Sequence, residues 1–183
     1  MISVQERFQV PSDPETVWRI VASPDEIVPC IPGAILEERH ADGSYSGSII
    51  VQFGPAKVKF KARVTYEADH VAKVGRVAGR GKDTAGGTRA DMAFSFSVRA
   101  CEGGTSVSGD GEMDIKGPLA SMIEVGASVI VKRMLAEFSS NLAARCGAPQ
   151  NKPAPKKRWW RRLLHALWHF QITQPVPPPG KRE

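Results

Sequence analysis

The sequence predicts an α+β fold. A curved antiparallel sheet of about seven strands wraps on a long C-terminal helix, two short helices follow the first strand, and a hydrophobic cavity lies between sheet and long helix. Three observations predict it. Runs of strict period two recur between residues 2 and 115, each apolar on one face and polar on the other, which is the pattern of half-buried antiparallel strands. Two Ser-Pro or Pro-Ser signals with acidic residues close behind open short helices near residues 12 and 23. A long segment from about 118 to 145 then places apolar residues every three or four positions, the spacing of a helix face.

Residues 2–10 alternate and read as the first strand. Ser12 with Glu15 three residues on forms a capping-box pattern, and a short helix follows through Val17, Trp18, Ile20 and Val21. Ser23-Pro24-Asp25-Glu26 starts a second short helix that ends near Pro29 and Pro32-Gly33. The clearest strand is Lys57–Glu67, with Val58, Phe60, Ala62, Val64 and Tyr66 on one face and Lys57, Lys59, Lys61 and Arg63 on the other. Tyr45–Phe53, Met92–Val98 and Val107–Ile115 repeat the alternation, separated by the turn signals Asp42-Gly43, Gly54-Pro55, Ala85-Gly86-Gly87 and Glu102-Gly103-Gly104. Leu119, Met122, Ile123, Gly126, Val129, Ile130, Met134, Phe138 and Leu142 mark the inward face of the long helix, with Gly147 just past its end. A sheet this long must curl to cover one helix. The candidate cavity residues are Tyr45, Ile49, Val51, Phe53, Phe60, Tyr66, Phe94, Phe96, Gly109, Gly111, Met113, Met122 and Gly126. The glycines suit either a cavity or bulges at which the sheet bends.

The charge sits in the tail. Residues 150–183 carry a net +7 and residues 1–149 a net −1, within a chain of 183 residues and net +6. The domain organisation read from this is a folded domain over 1–147, a Pro-rich linker over 148–157, an amphipathic membrane-binding helix over 158–172 and a disordered Pro-rich tail over 173–183. On a helix, Trp160, Leu163, Leu164, Leu167 and Trp168 fall on one side, and Arg158, Arg161 and Arg162 on the other, with Lys156 and Lys157 just before and Trp159 beside them. Basic amphipathic segments rich in Trp and Leu lie in membrane interfaces. An acidic groove on a partner protein is the weaker reading. A nucleic-acid arm is set aside, because such arms have no use for Leu163, Leu164 and Leu167. No N-terminal signal peptide is visible, no stretch approaches the roughly 18 apolar residues of a spanning helix, and Cys30, Cys101 and Cys146 have no metal spacing. The expected location is therefore the cytoplasmic face of the cell membrane, peripherally bound.

Several segments carry a resemblance: Val28-Pro29-Cys30-Ile31-Pro32-Gly33-Ala34, Gly47-Ser48-Ile49 with Phe53-Gly54-Pro55, Gly79-Arg80-Gly81-Lys82-Asp83, Gly103-Gly104-Thr105 and Gly117-Pro118-Leu119-Ala120. In these the chain resembles the CoxG family of carbon monoxide dehydrogenase subunits, a branch of the START-like (SRPBCC) helix-grip superfamily, over nearly all of residues 1–145. The resemblance implies a helix-grip fold and a non-enzymatic accessory role toward molybdenum hydroxylases of the carbon monoxide dehydrogenase type, holding them at the membrane. It supplies no catalytic motif, and none stands out in the residues. His40 and His70 sit beside turns next to acids and read as solvated, and no metal site or covalent cofactor is expected. Gly79–Gly87 lacks the Walker pattern and reads as a flexible hairpin. The expected partners are an anionic membrane surface, a molybdenum hydroxylase complex and a hydrophobic small molecule, with no nucleic acid. The sharper expectation is an isoprenoid quinone or other lipid held in the cavity. The alternative is a helix-grip lipid-transfer protein or small-molecule-modifying enzyme.

Overall fold

The computed structural model describes residues 1–147. The linker, the amphipathic segment and the C-terminal tail expected over 148–183 lie outside the described residues. The elements run β1 (Ile2–Val10), α1 (Pro14–Val21), α2 (Pro24–Ile27), a 3-10 turn (Val28–Cys30), β2 (Ala34–Arg39), β3 (Tyr45–Phe53), β4 (Ala56–Asp69), β5 (Val74–Asp83), β6 (Arg89–Cys101), β7 (Gly104–Lys116) and α3 (Ala120–Arg145). The seven strands form one antiparallel sheet in the order β1-β7-β6-β5-β4-β3-β2. The first strand closes beside the last, so β1 and β2 are the two edges. Helix α3 crosses the concave face and packs against both β1 and β3.

The predicted architecture holds, with local corrections. The cap of α1 is Asp13, not Ser12: its carboxylate accepts from Thr16 N at 2.8 Å and Pro14 fills the first helical position. A Pro at that position has no N–H to satisfy, so the cap belongs to the residue just before it. On α3 the expected inward residue Val129 faces solvent, 71% exposed, and Val125 is 88% exposed, while Ala127 is buried. The helix is apolar on more than one face here, so periodicity alone misplaces its stripe. His70 is exposed, as expected, but it also accepts a hydrogen bond at Nδ1 from Trp18 Nε1 at 3.2 Å. That satisfies the one polar atom of an otherwise buried tryptophan.

The core lies at the end of the sheet where α1 and the last turns of α3 meet. Val10, Val17, Ile20 and Leu142 are fully buried there, with Val98 and Val107 nearly so. Each such side chain contributes about 1.5–3 kcal/mol by leaving water. Two glycines of the quoted segments have definite reasons to be glycine. Gly33 has φ +75°, and a Cβ there would lie 2.4 Å from Ile50 O. Gly104 has φ +148°, and its Cβ would meet Val10 O at 2.3 Å. Both positions combine a backbone conformation that side chains avoid with close approach of a neighbouring strand. Beside Gly104, the buried Thr105 hydroxyl donates to Ser12 O at 2.6 Å, holding the corner between β1 and α1.

Gly79–Gly81 is strand interior, not a flexible hairpin: β5 runs to Asp83 and the turn occupies 84–87. The turn is built on Asp83, whose buried carboxylate accepts from the backbone N–H groups of Ala85 (2.8 Å), Gly86 and Thr88 (2.9 Å). These donors, Thr88 N first, hold its pKa below the usual carboxylate value. The Thr88 hydroxyl accepts from Leu119 N at 3.2 Å and so ties the turn to the start of α3. A lowered folded-state pKa stabilises the protein above the unfolded value of about 3.9, and that stability is lost as pH falls through the folded pKa. Asp83→Asn is therefore expected to lower the melting temperature by several degrees at pH 7, with the gap to wild type closing toward pH 2. Thermal melts across that range check it. A gap that does not change with pH would show that the ionised carboxylate is not what holds the turn.

Candidate functional site

Between the concave face and α3 lies a cavity of about 400 Å³, partly open to solvent. Its floor is the middle of the sheet, with Val77, Phe94 and Phe96 beside Ala62, Val64 and Tyr66. One side is Tyr45, Gly47 and Ile49 of β3 with Ala34, Ile35 and Leu36 of β2. Leu135 and Phe138 of α3 form the roof, and Val21, Pro24, Ile27, Val28 and Ile31 close one end. Cavities of this size lined mostly by apolar side chains suit a hydrophobic ligand.

The inward glycines do not open this space by themselves. They let aromatic rings lie flat on the sheet. A Cβ on Gly109 would sit 2.4 Å from Phe94 Cζ, one on Gly111 would sit 2.6 Å from Phe94 Cδ2, and one on Gly75 would sit 2.1 Å from Phe96 Cζ. Each ring therefore occupies the place of missing side chains across the strand. The cavity is the height gained above rings that lie down. The Tyr66 ring lies 6.0 Å from that of Phe96, and its hydroxyl donates to Val21 O. Burial pushes the Tyr66 phenol well above its ordinary pKa, so it stays a donor engaged with the backbone.

The end wall is fixed by polar ties between α3 and the segment of the short helices. Asn141 Nδ2 donates to Cys30 O at 3.1 Å, and Arg145 pairs with Glu26 at 2.6 Å. The Phe8 and Phe138 rings meet edge to face at 5.6 Å, which closes the gap between β1 and the helix.

Of the residues expected to line a cavity, Tyr45, Ile49, Tyr66, Phe94, Phe96 and Gly109 do so. Val51, Phe53, Phe60, Gly111, Met113, Met122 and Gly126 are not in its wall. Gly111 is covered by the Phe94 ring, and Met122 is 39% exposed. A Cβ on Gly126 would lie 3.4 Å from Ile130 Cδ1 and 3.9 Å from Phe53 Cδ1. At that end the helix therefore comes down onto the sheet, and packing replaces cavity. The alternation gives the correct face for these strand residues but not the position along the strand at which the helix lifts away. Sequence reasoning missed Leu36, Leu135 and the residues of the short helices, which have no shared period with the sheet. It also missed Glu6. That residue takes an inward slot of β1 and borders the cavity through its carbon chain, since the wall presents almost no polar surface.

The convex face is different. Lys61, Lys82, Arg89 and Lys116 stand directly opposite one another on β4, β5, β6 and β7. At about 4.8 Å per strand the row spans roughly 14 Å. Lys57 and Lys59 continue it along β4. Like charges opposed across strands cost stability, yet among the described residues only Lys116 of these six has an ion-pair partner, Asp114 at 2.8 Å. Two hollows on this face, of about 600 and 680 Å³, are open troughs lined by residues such as Thr65, Glu67, Arg76 and Arg80. They enclose nothing comparable to the apolar cavity. Among the described residues no three His, Cys, Asp or Glu side chains gather into a metal-ligand group, and no helix is long and apolar enough to cross a membrane.

Comparison with known proteins fits this geometry. No curated protein matches the sequence. Solved structures match in fold. A conserved protein from Geobacillus kaustophilus aligns with a TM-score of 0.69 at 14% identity, covering 80% of this chain and 95% of the other. A START superfamily protein from Mycobacterium smegmatis aligns at 0.50 and 18%, covering 79% and 97%. The ZhuI aromatase/cyclase from Streptomyces sp. R1128 aligns at 0.50 and 15%, covering 80% and 93%. A family model described as CoxG, a carbon monoxide dehydrogenase subunit, matches residues 7–147, the whole of the sheet, the cavity and α3 apart from the first residues of β1. The chain therefore belongs to the CoxG family of carbon monoxide dehydrogenase subunits, built on a START-like helix-grip fold.

Proposed function

We propose that the protein is a non-enzymatic accessory component. It brings a molybdenum-containing enzyme of the carbon monoxide dehydrogenase type to the cytoplasmic face of the cell membrane, and its cavity carries an isoprenoid quinone or related lipid between the two. The observation that carries this reading is the partly open cavity of about 400 Å³, whose wall is almost wholly apolar. A catalytic cavity needs a positioned acid, base or nucleophile with its orienting partner, whereas this wall is almost wholly apolar. The alternative, a helix-grip lipid-transfer protein or small-molecule-modifying enzyme, draws on the shared fold of the aromatase/cyclase. A polar pair facing the cavity would favour it, and the wall presents almost no polar surface.

The test is native mass spectrometry of the protein extracted from its own membranes. An isoprenoid mass bound at one per chain is expected. An empty protein from intact, respiring membranes would sink the carrier reading and leave recruitment alone.

The cation row supports the membrane half of the reading. Each Lys or Arg near an anionic leaflet contributes about 1 kcal/mol. Lys59→Glu combined with Lys61→Glu is expected to weaken binding of the full chain to phosphatidylserine vesicles by ten-fold or more and to leave the weak binding to phosphatidylcholine unchanged. Vesicle sedimentation measures both. Equal binding of variant and wild type to the anionic vesicles would remove the convex face from the contact.

A further inference from the structure

We propose that the outer face of α3 is the apolar half of the membrane contact, with Met122, Val125 and Val129 resting among lipid acyl chains while the cations around them meet anionic headgroups. This rests on the reading that the protein works at an anionic membrane surface.

Residues 119–131 hold one charged side chain, Glu124. The first half of α3 is therefore apolar or small on every side, which suits a helix with apolar surroundings on both faces. Ile123 and Ala127 take the buried side. Met122, Val125 and Val129 take the other, with Val125 88% and Val129 71% exposed. At spacings of three and four they are neighbours on the helix surface. Val71 is as bare but stands alone in the turn after β4. A single exposed valine is ordinary, whereas a group of apolar side chains marks a surface that meets something apolar.

The charges around the group identify what it meets. Helix α3 starts at the end of the sheet that carries the cation row, where Leu119 N donates to Thr88 Oγ1 and Lys116 is paired across the strands with Arg89. The β3–β4 hairpin lies beside the helix, with Arg133 Nη2 donating to Gln52 O at 3.3 Å. That hairpin carries Lys57 and Lys59, and the exposed Ile50 is the cross-strand partner of Lys59. Lys132 and Arg133 follow Val129 on the helix itself. The one acid of the stretch, Glu124, is met by the Met1 amine at 3.2 Å. Apolar side chains bordered by cations complement an anionic leaflet, in which acyl chains lie just beneath phosphate. The same helix roofs the cavity. Leu135 is ten residues beyond Val125, about 15 Å along the axis, so the contact would place the cavity close to the leaflet.

The experiment uses the full chain and phosphatidylserine vesicles, with partition read by sedimentation. Val125→Ser combined with Val129→Ser is expected to weaken partition by about ten-fold, and Val125→Leu combined with Val129→Leu to tighten it by about three-fold. Both losses and gains of apolar area are insensitive to screening, so these ratios should hold as salt rises from about 0.1 to 0.5 M. The loss caused by Lys59→Glu with Lys61→Glu should shrink over the same range. Both positions are exposed, and serine and valine have similar helix propensities, so the melting temperatures should stay within about two degrees of wild type. Equal partition of the serine variant and wild type would overturn the proposal and leave the tail and the cation row as the contact. So would a leucine variant that binds no more tightly. A wild type that is dimeric without lipid, and a serine variant that is monomeric, would overturn it by giving this face to a second copy of the chain. A wild type that does not partition onto the vesicles at all would overturn the membrane reading beneath it.

Discussion

Removing residues 156–172 is expected to lower partition onto anionic vesicles by roughly a thousand-fold while the domain of residues 1–147 keeps its melting temperature. Charge sets the scale of the effect. Lys156, Lys157, Arg158, Arg161 and Arg162 bring five cations to the leaflet, worth about 1 kcal/mol each, and Trp160, Leu164, Leu167 and Trp168 add apolar area. Ordering the segment on the surface subtracts some of this, and what remains is about three factors of ten. The fold should not notice. Helix α3 closes within residues 1–147, with Cys146 N bonded to Leu142 O and Gly147 N to Ala144 O. Vesicle sedimentation of full-length and truncated protein, beside thermal melts of both, provides the check. Equal sedimentation would move the membrane contact onto the convex face. A lost melting transition would show that the tail belongs to the fold.

Where the sequence spoke clearly, one physical rule dominated. The alternation of β4 is strict because every inward position carries an apolar side chain, Val58 through Tyr66, and every outward one is charged or polar. β5 follows the same rule but is hard to see. Its inward positions are Gly75, Val77, Gly79, Gly81 and Asp83, so three of the five have no side chain and one is charged, and the pattern does not show. Those glycines are filled from neighbouring strands: Phe96 covers Gly75, and a Cβ on Gly79 would strike Val64 Cγ1 at 2.5 Å. Glycine in such a strand looks like a loop in one dimension and like a seat for a ring in three. The cavity residues divide for a related reason. Period two fixes which way Phe60 and Tyr66 face, but only Tyr66 lies where α3 has lifted from the sheet. That height depends on Leu135, Phe138 and the short helices, which are far away in sequence.

Filling the cavity is expected to separate ligand binding from stability, and Ala62 is the place to do it. Ala62 faces inward and lines the wall, and both of its cross-strand neighbours are glycines, Gly47 and Gly81. The sheet already solves this arrangement twice, laying Phe94 over Gly109 and Gly111 and Phe96 over Gly75. A ring at position 62 has the same seat available. Ala62→Phe should therefore cut occupancy by a bound isoprenoid at least ten-fold while the melting temperature moves by only a few degrees, since the ring enters empty space. Gly126→Leu is the matched control. Its Cβ would already touch Ile130 at 3.4 Å and lie 3.9 Å from Phe53, outside the cavity. The Cβ itself meets only ordinary contacts, and the rest of the leucine must share space with Phe53 and Ile130, so a cost of at most about 1–3 kcal/mol and unchanged ligand occupancy are expected. Thermal melts, with mass spectrometry of the ligand extracted from each variant, read both axes. Full occupancy in Ala62→Phe would mean that the ligand lies elsewhere. A collapse of stability in the same variant, with normal stability in Gly126→Leu, would mean that the space above Ala62 is closed in solution and the helix packs onto the sheet along its whole length.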